Sequence, residues 1–234
     1  MKKLESTFKN MIISLTIISV VVAGLLAFVY TMTKEPIVQA EKTKQEQAVR
    51  DVMPEFDNNP IAEKIKVAIG DGDSLTIFPA KQDGNLIGFA IASNTYKGFS
   101  GEIKIMVGLD KDGNILDYSI LEHKETPGLG TKMVDWFKPV LKKEKSLVEK
   151  IFGFEIKATE RKSSVIGKNL GHEQLIVSKA AKAENEIDAI TGATITTRAF
   201  LDALQRAYTA YLEIEKSDSD THESAGKPNQ EENE

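Results

Sequence analysis

This 234-residue chain contains no cysteine. That excludes disulfides, thiolate nucleophiles and cysteine-held iron–sulfur clusters from its own chemistry. Histidine is almost as scarce. His123, His172 and His222 are too few and too scattered to suggest a haem or zinc site, so a redox role would have to rest on an organic cofactor. There is no Gly-x-Gly-x-x-Gly turn to hold a dinucleotide. Basic charge is not in excess either. Thirty Lys and Arg against 35 Asp and Glu leave a formal net charge of −5, a balance that offers nucleic acid nothing.

Charge is missing altogether from residues 10–33, which are mostly Ile, Val, Leu and Ala. As a helix this stretch would span roughly 36 Å at ~1.5 Å per residue, enough for a hydrocarbon core of about 30 Å. A secretory signal would carry a shorter apolar region, and Val38-Gln39-Ala40 is a poor cleavage site. The expectation is an uncleaved anchor in the lipid bilayer, with no intramembrane carboxylate to carry an ion. Lys2, Lys3 and Lys9 before the span nearly balance Lys34, Lys42 and Lys44 after it, so charge alone does not orient it. A short tail ahead of one span and a large domain behind it favour the N-terminus inside.

These contrasts divide the chain into a tail at 1–9, a transmembrane anchor at 10–33, a folded domain at 34–214 and a disordered acidic tail at 215–234. Pro36 predicts a break after the span, and Gln45 to Met53 a short helix ended by Pro54. Residues 55–73 read as an irregular surface region with strand character at Lys64 to Ala68. Leu86 to Ile91 alternates weakly as a strand. Ile103, Ile105, Val107 and Leu109 alternate cleanly, and the Asp110–Asn114 turn then leads into Ile115 to Leu121, a hairpin. Trp136, Phe137, Val140 and Leu141 suggest a helix from about Thr131, and Leu175 to Val177 a further strand. Phe200, Leu204, Ala207, Tyr208 and Tyr211 recur on one face of a helix expected over Thr196 to Ile214. Strands in a run flanked by helices predict an α+β fold with a mainly antiparallel sheet.

Two segments point to a site. Asp188-Ala189-Ile190-Thr191-Gly192-Ala193-Thr194 runs straight into the last helix. A hydroxyl at a helix start lies beside backbone N–H groups that lack partners, a natural seat for a phosphate. An ordinary threonine cap has the same sequence appearance. Upstream, His123-Lys124-Glu125-Thr126-Pro127-Gly128-Leu129-Gly130 follows the hairpin. Pro-Gly favours a tight turn, and the glycines permit close backbone approach to something bulky. Glu125 there could serve a pocket or pair with Lys124 or Lys132. Trp136 and Phe137 could stack on a ring, yet helical aromatics are usually core.

Together these segments resemble the FMN-binding subunits of the Rnf and Nqr electron-transport complexes. The first is similar to their Asp-x-x-(Ser/Thr)-Gly-Ala-Thr flavinylation motif, and the second to a stretch lining the flavin. Gly98-Phe99-Ser100-Gly101 is similar to a Gly-aromatic-Ser-Gly element of the same family. The three elements occur in the family's order and cover most of residues 36–214. The resemblance implies a covalent FMN, esterified through its phosphate to Thr194 by a flavin transferase. Asp188, Thr191, Gly192, Ala193 and Thr197 would surround the attachment, with Asp188 helping to hold a metal ion and the flavin donor during transfer. Ser100, Gly101, Glu125, Thr126, Pro127, Gly128, Leu129 and Gly130 would complete the cofactor site, with no resident metal.

It further implies electron relay among the subunits of an ion-translocating ferredoxin:NAD oxidoreductase. The flavin domain would lie outside the cytoplasmic membrane, and the chain would turn over no substrate alone. The compact length around the domain favours the G-type component of Rnf over the C-type component of the Na⁺-translocating NADH:quinone oxidoreductase. A tethered binding module without redox change and a structural adaptor are the readings from other classes.

Overall fold

The computed structural model describes residues 7–70, 72–139, 163–172 and 174–224, with side chains to residue 217. The chain divides into two units, Met1–Gln45 and Glu46–Glu234. The first unit is helical from Phe8 onward and belongs to helix α1, Phe8–Val52. Its apolar side chains from Phe8 to Met32 are exposed, as a surface meant for lipid would be. Four hydroxyls in this stretch bond back to the helix. Ser14 donates to the Met11 carbonyl at 3.1 Å, Thr16 to Ile12 at 2.9 Å, Thr31 to Phe28 at 2.8 Å and Thr33 to Val29 at 2.9 Å. Each of these four hydroxyls is thereby satisfied within the helix, as an apolar solvent requires.

The helix does not break at Pro36, contrary to the sequence expectation; Pro36 lies inside it. A proline removes one N–H and so leaves the carbonyl four residues back without its helical donor. Residues 37–52 hold no Gly or Pro, and Gln, Ala, Glu, Lys and Arg among them are strong helix formers. The expected short helix at 45–53 is therefore the end of α1, which stops just before Pro54.

The second unit is built on a five-stranded antiparallel meander: β1 Ile65–Ile69, β2 Asp73–Gln82, β3 Asn85–Gly98, β4 Gly101–Asp110 and β5 Ile115–His123. Alternation along β4 sorts its side chains between two cores. Ile103, Ile105, Val107 and Leu109 join Leu75, Ile77, Phe89 and Ile91 on one face. Met106 turns the other way, to Phe78, Ala80 and Ala90. That second face is covered by Ala48, Val49, Val52 and Met53 at the end of α1. The contact is close: a Cβ at Gly108 would lie 2.1 Å from the Val52 carbonyl oxygen.

The first face is covered by helix α3, Thr194–Ser224, through Phe200, Leu204, Tyr208 and Tyr211, with Ala199, Ala203, Ala207 and Ala210 between them. The alanines let the helix lie near the sheet, and Ser93 reaches across to donate to the Ala203 carbonyl at 2.7 Å. Phe200 stacks on Phe137 at 4.4 Å and meets the Tyr118 ring edge-on at 4.8 Å. The Tyr118 hydroxyl donates to Met133 and accepts from the Phe137 amide. Burial pushes this phenol well above the usual tyrosine range.

The α+β architecture matches the sequence expectation, with three differences. Strand β2 was not anticipated. Because the sheet is covered on both sides, adjacent residues such as Ile77 and Phe78 are both fully buried, and no apolar–polar alternation marks the strand. Second, the helix expected near Thr131 is a 3₁₀ turn, Gly130–Lys132, followed by one turn of α2, Met133–Trp136; Val140 and Leu141 lie outside the described residues. Third, α3 continues to Ser224, so residues 215–224 are helical where composition predicts tail, and 225–234 lie outside the described residues. The expected strand at 175–177 is β6, Ile176–Ser178, paired in parallel with β7, Glu186–Asp188.

Candidate functional site

Strand β7 delivers the chain to the start of α3 through a tightly determined turn. The Asp188 carboxylate accepts from the Ala181 amide at 2.6 Å, and its carbonyl accepts from the Trp136 indole N–H at 2.9 Å. Gly192 takes a positive φ of 80°, which a side chain would resist, and the Ala193 amide donates back to Ile190. Thr197 is fully buried. Its hydroxyl accepts from the Ile190 amide at 3.0 Å and donates to the Ala193 carbonyl at 3.1 Å, closing the turn onto the first turn of the helix. Asp188 and Thr197 thus shape the loop, and Thr194 emerges half-exposed at the helix start.

Thr194 lies in the wall of a cleft of about 370 Å³, within the size range of small-molecule sites. Three segments far apart in sequence form it: Phe99 at the β3–β4 turn, Glu125, Thr126, Leu129 and Gly130 after β5, and Gly192 to Thr196 at the start of α3. Glu125 is 5% exposed. Its Oε2 accepts from the Thr196 hydroxyl at 2.7 Å and its Oε1 from the Ser100 amide at 3.2 Å, while its own amide donates to His123 Nδ1 at 3.2 Å. The following loop is pinned by the Thr131 hydroxyl, which accepts from the Gly128 amide at 2.9 Å.

Of the residues singled out in sequence, Thr194, Gly192, Ala193, Glu125, Thr126, Leu129 and Gly130 line this one cleft. Ser100 contributes its amide to Glu125, and Gly101 supplies a positive φ of 112° to the turn carrying Phe99. Asp188, Thr191, Thr197, Pro127 and Gly128 are not in the lining. Among the described residues no cluster of three metal-ligating side chains occurs. Trp136 and Phe137 also lie outside the lining, Phe137 being core.

Sequence reasoning missed Phe99, Ile195 and Thr196. Phe99 was visible inside its motif, and Thr196 could have been noticed as a further hydroxyl two residues beyond Thr194. Thr196 meets Glu125 across 71 residues, and Phe99 and Ile195 share the cleft only through the fold.

The lining combines a seat for an anion with apolar surface. A half-exposed hydroxyl stands where the first helical amides lack intrahelical partners. Exposed Phe99, Leu129 and Ile195 offer apolar surface to a ring, and a buried carboxylate offers acceptors to hydroxyl or N–H donors.

Residues 98–209 match the family model described as an FMN-binding domain, a range that includes every residue lining the cleft. A protein of Shewanella piezotolerans, named as the G component of an ion-translocating oxidoreductase complex, is 30% identical over 214 residues, 87% of this chain and 88% of its own length. Proteins of the same name from Vibrio cholerae (strain M66-2) and Stutzerimonas stutzeri are 29% and 28% identical. They cover 82% and 83% of this chain and 85% and 77% of their own lengths.

Proposed function

Because this chain belongs to the family of G components of ion-translocating oxidoreductase complexes, we propose that it relays electrons through an FMN esterified to Thr194. The observation that carries the proposal is the position of this one hydroxyl. It stands at the start of α3, in the wall of the cleft formed by the three motif segments. FMN supplies reversible electron transfer through its ring, and the protein supplies attachment, orientation and shielding. Thr194 Oγ1 would form the phosphoester, and the partnerless amides of the first helical turn would face the phosphate charge. Gly192, without a side chain, would leave room for the cofactor and for a flavin transferase to reach the hydroxyl. Phe99, Leu129 and Ile195 would shield the ring from water on that side.

The chain would work as one redox subunit of a Rnf-type membrane complex. It would exchange electrons with neighbouring subunits, while ion movement would belong to partners with more spans. One helix of the described chain, Phe8–Val52, is long and apolar enough to cross a membrane. The proposed topology has the N-terminus inside and the flavin domain on the extracytoplasmic side of the cytoplasmic membrane.

The test is intact mass and in-gel flavin fluorescence of the membrane-extracted protein, co-expressed with a compatible flavin transferase. Expected is a mass increase of one FMN less one water, mapped to the peptide containing Thr194 and lost in Thr194→Ala. An unmodified native protein would refute the proposal and leave a tethered binding module; a labelled Thr194→Ala protein would refute the site.

A further inference from the structure

The ten residues lining the cleft include a single charged side chain, Glu125, and no basic one. Its carboxylate is held by two donors from different segments. One oxygen accepts from the Thr196 hydroxyl at 2.7 Å, the other from the Ser100 amide at 3.2 Å. The side chain is also walled by two glycines. A Cβ at Gly98 would stand 2.8 Å from Oε1, and one at Gly130 would stand 2.6 Å from Oε2 and 3.0 Å from Thr196 Oγ1. Thr196 itself is 1% exposed and sits in the first turn of α3, two residues beyond Thr194. A carboxylate has about four lone-pair sites, and these two donors occupy two. The remainder belong to a buried acceptor in the cleft wall.

From this arrangement we propose that Thr196 is a positioning residue. Its hydroxyl, opposed by the Ser100 amide, sets the plane of the Glu125 carboxylate so that it accepts hydrogen bonds from the donor groups of a bound flavin. The inference rests on the flavin reading of the cleft and adds a direction to it. A phosphate carries negative charge and offers acceptors, so it is repelled by Glu125 and belongs at the Thr194 end. Ribityl hydroxyls and the ring N–H are neutral donors, and they belong at the carboxylate. Without the Thr196 hydroxyl the carboxylate loses its shortest bond, and the Ser100 amide alone no longer fixes its plane toward the ligand.

Riboflavin is the probe, because it keeps the ring and ribityl donors but has no phosphate. It is titrated by fluorescence anisotropy into the unmodified full chain in detergent, made without a flavin transferase. Loss of one hydrogen bond to a charged group corresponds to roughly tenfold in affinity. Glu125→Gln and Thr196→Val are each expected to weaken binding by that factor, and Thr196→Ser to stay within about twofold of the parent. In the double variant Thr196→Val adds nothing to Glu125→Gln, because a residue acting through another loses its effect with it.

Parent-like binding by Thr196→Val, multiplied losses in the double variant, or no riboflavin binding by the parent would each overturn the proposal. If Thr196→Val fails to fold, Glu125→Asp replaces it, since the shorter side chain withdraws the carboxylate from both donors. The same loss is expected, and parent-like binding again overturns the assignment. The mass of the native protein reads the Thr194 phosphoester separately, so either reading can fail while the other stands.

Discussion

Gly128 and Gly130 lie two residues apart in one loop, yet replacing each with alanine should fail for different reasons. Gly128 has a positive φ of 75° and open space where a Cβ would go. Gly128→Ala therefore suffers only the left-handed backbone penalty, roughly 1–2 kcal/mol. Gly130 has no positive φ, but a new Cβ would lie 2.6 Å from Glu125 Oε2 and 2.7 Å from Glu125 Cβ. Forcing that carbon in costs about 1–3 kcal/mol as overpacking. Pushing Glu125 away from Thr196 loses a hydrogen bond to a charged group, about another 1.5–3 kcal/mol. At roughly 2–4 °C per kcal/mol for a domain of this size, Gly130→Ala should lower Tm by on the order of 10 °C and Gly128→Ala by roughly 3–5 °C. Circular dichroism melts of the full chain in detergent measure both. In a Thr196→Val background the Gly130→Ala loss should shrink, because the bond it breaks is already absent. If Gly130→Ala costs no more than Gly128→Ala, the tight packing of the Glu125 carboxylate is incorrect.

Tyr118 and the β3–α3 contacts give two further tests. Removing the Tyr118 hydroxyl strands the Phe137 amide and should cost about 1–3 kcal/mol in Tyr118→Phe, read as a lower urea midpoint. Its folded pKa is raised above the unfolded value near ~10, so its stabilisation is fully present below that pH and is lost as pH rises beyond it. The urea midpoint of the parent should thus fall on the alkaline side of about pH 10, and fall less steeply in Tyr118→Phe. Some slope should remain, because Tyr211 and Tyr208 are also raised by burial. At Asp202, the part-buried bond from the Thr95 hydroxyl at 2.7 Å should outweigh the Lys97 ion pair, whose lysine is 73% exposed. Thr95→Val should cost about 1–2 kcal/mol and Lys97→Ala less than about 1 kcal/mol in urea titrations; equal losses would contradict that ranking.

Local chemistry explains what could be read without a fold. A run of apolar residues has the same meaning wherever it occurs, and alternation from Ile103 to Leu109 places four side chains on one side of a strand regardless of neighbours. The helix expected over Thr196 to Ile214 also followed from periodicity, because Phe200, Leu204, Ala207, Tyr208 and Tyr211 repeat with its turn. Strand β2 escaped because two packed layers bury it on both sides. The passage of α1 through Pro36 escaped because a proline's local cost was outweighed by good helix formers around it.

The motif around Thr194 and the loop from His123 to Gly130 were legible as separate strings, each tied to a cofactor by resemblance. Their convergence on one cleft was decided by the sheet, which brings the β3–β4 turn, the end of β5 and the start of α3 together. The Thr196–Glu125 bond spans 71 positions, and no local pattern encodes which hydroxyl will meet which carboxylate. The amino-acid order by itself determined a long apolar helix, an α+β domain and the residue types in the three motif segments. Which of those residues line the cleft, and which only shape the loop as Asp188 and Thr197 do, was decided by tertiary packing, because lining a cleft is a property of neighbours distant along the chain.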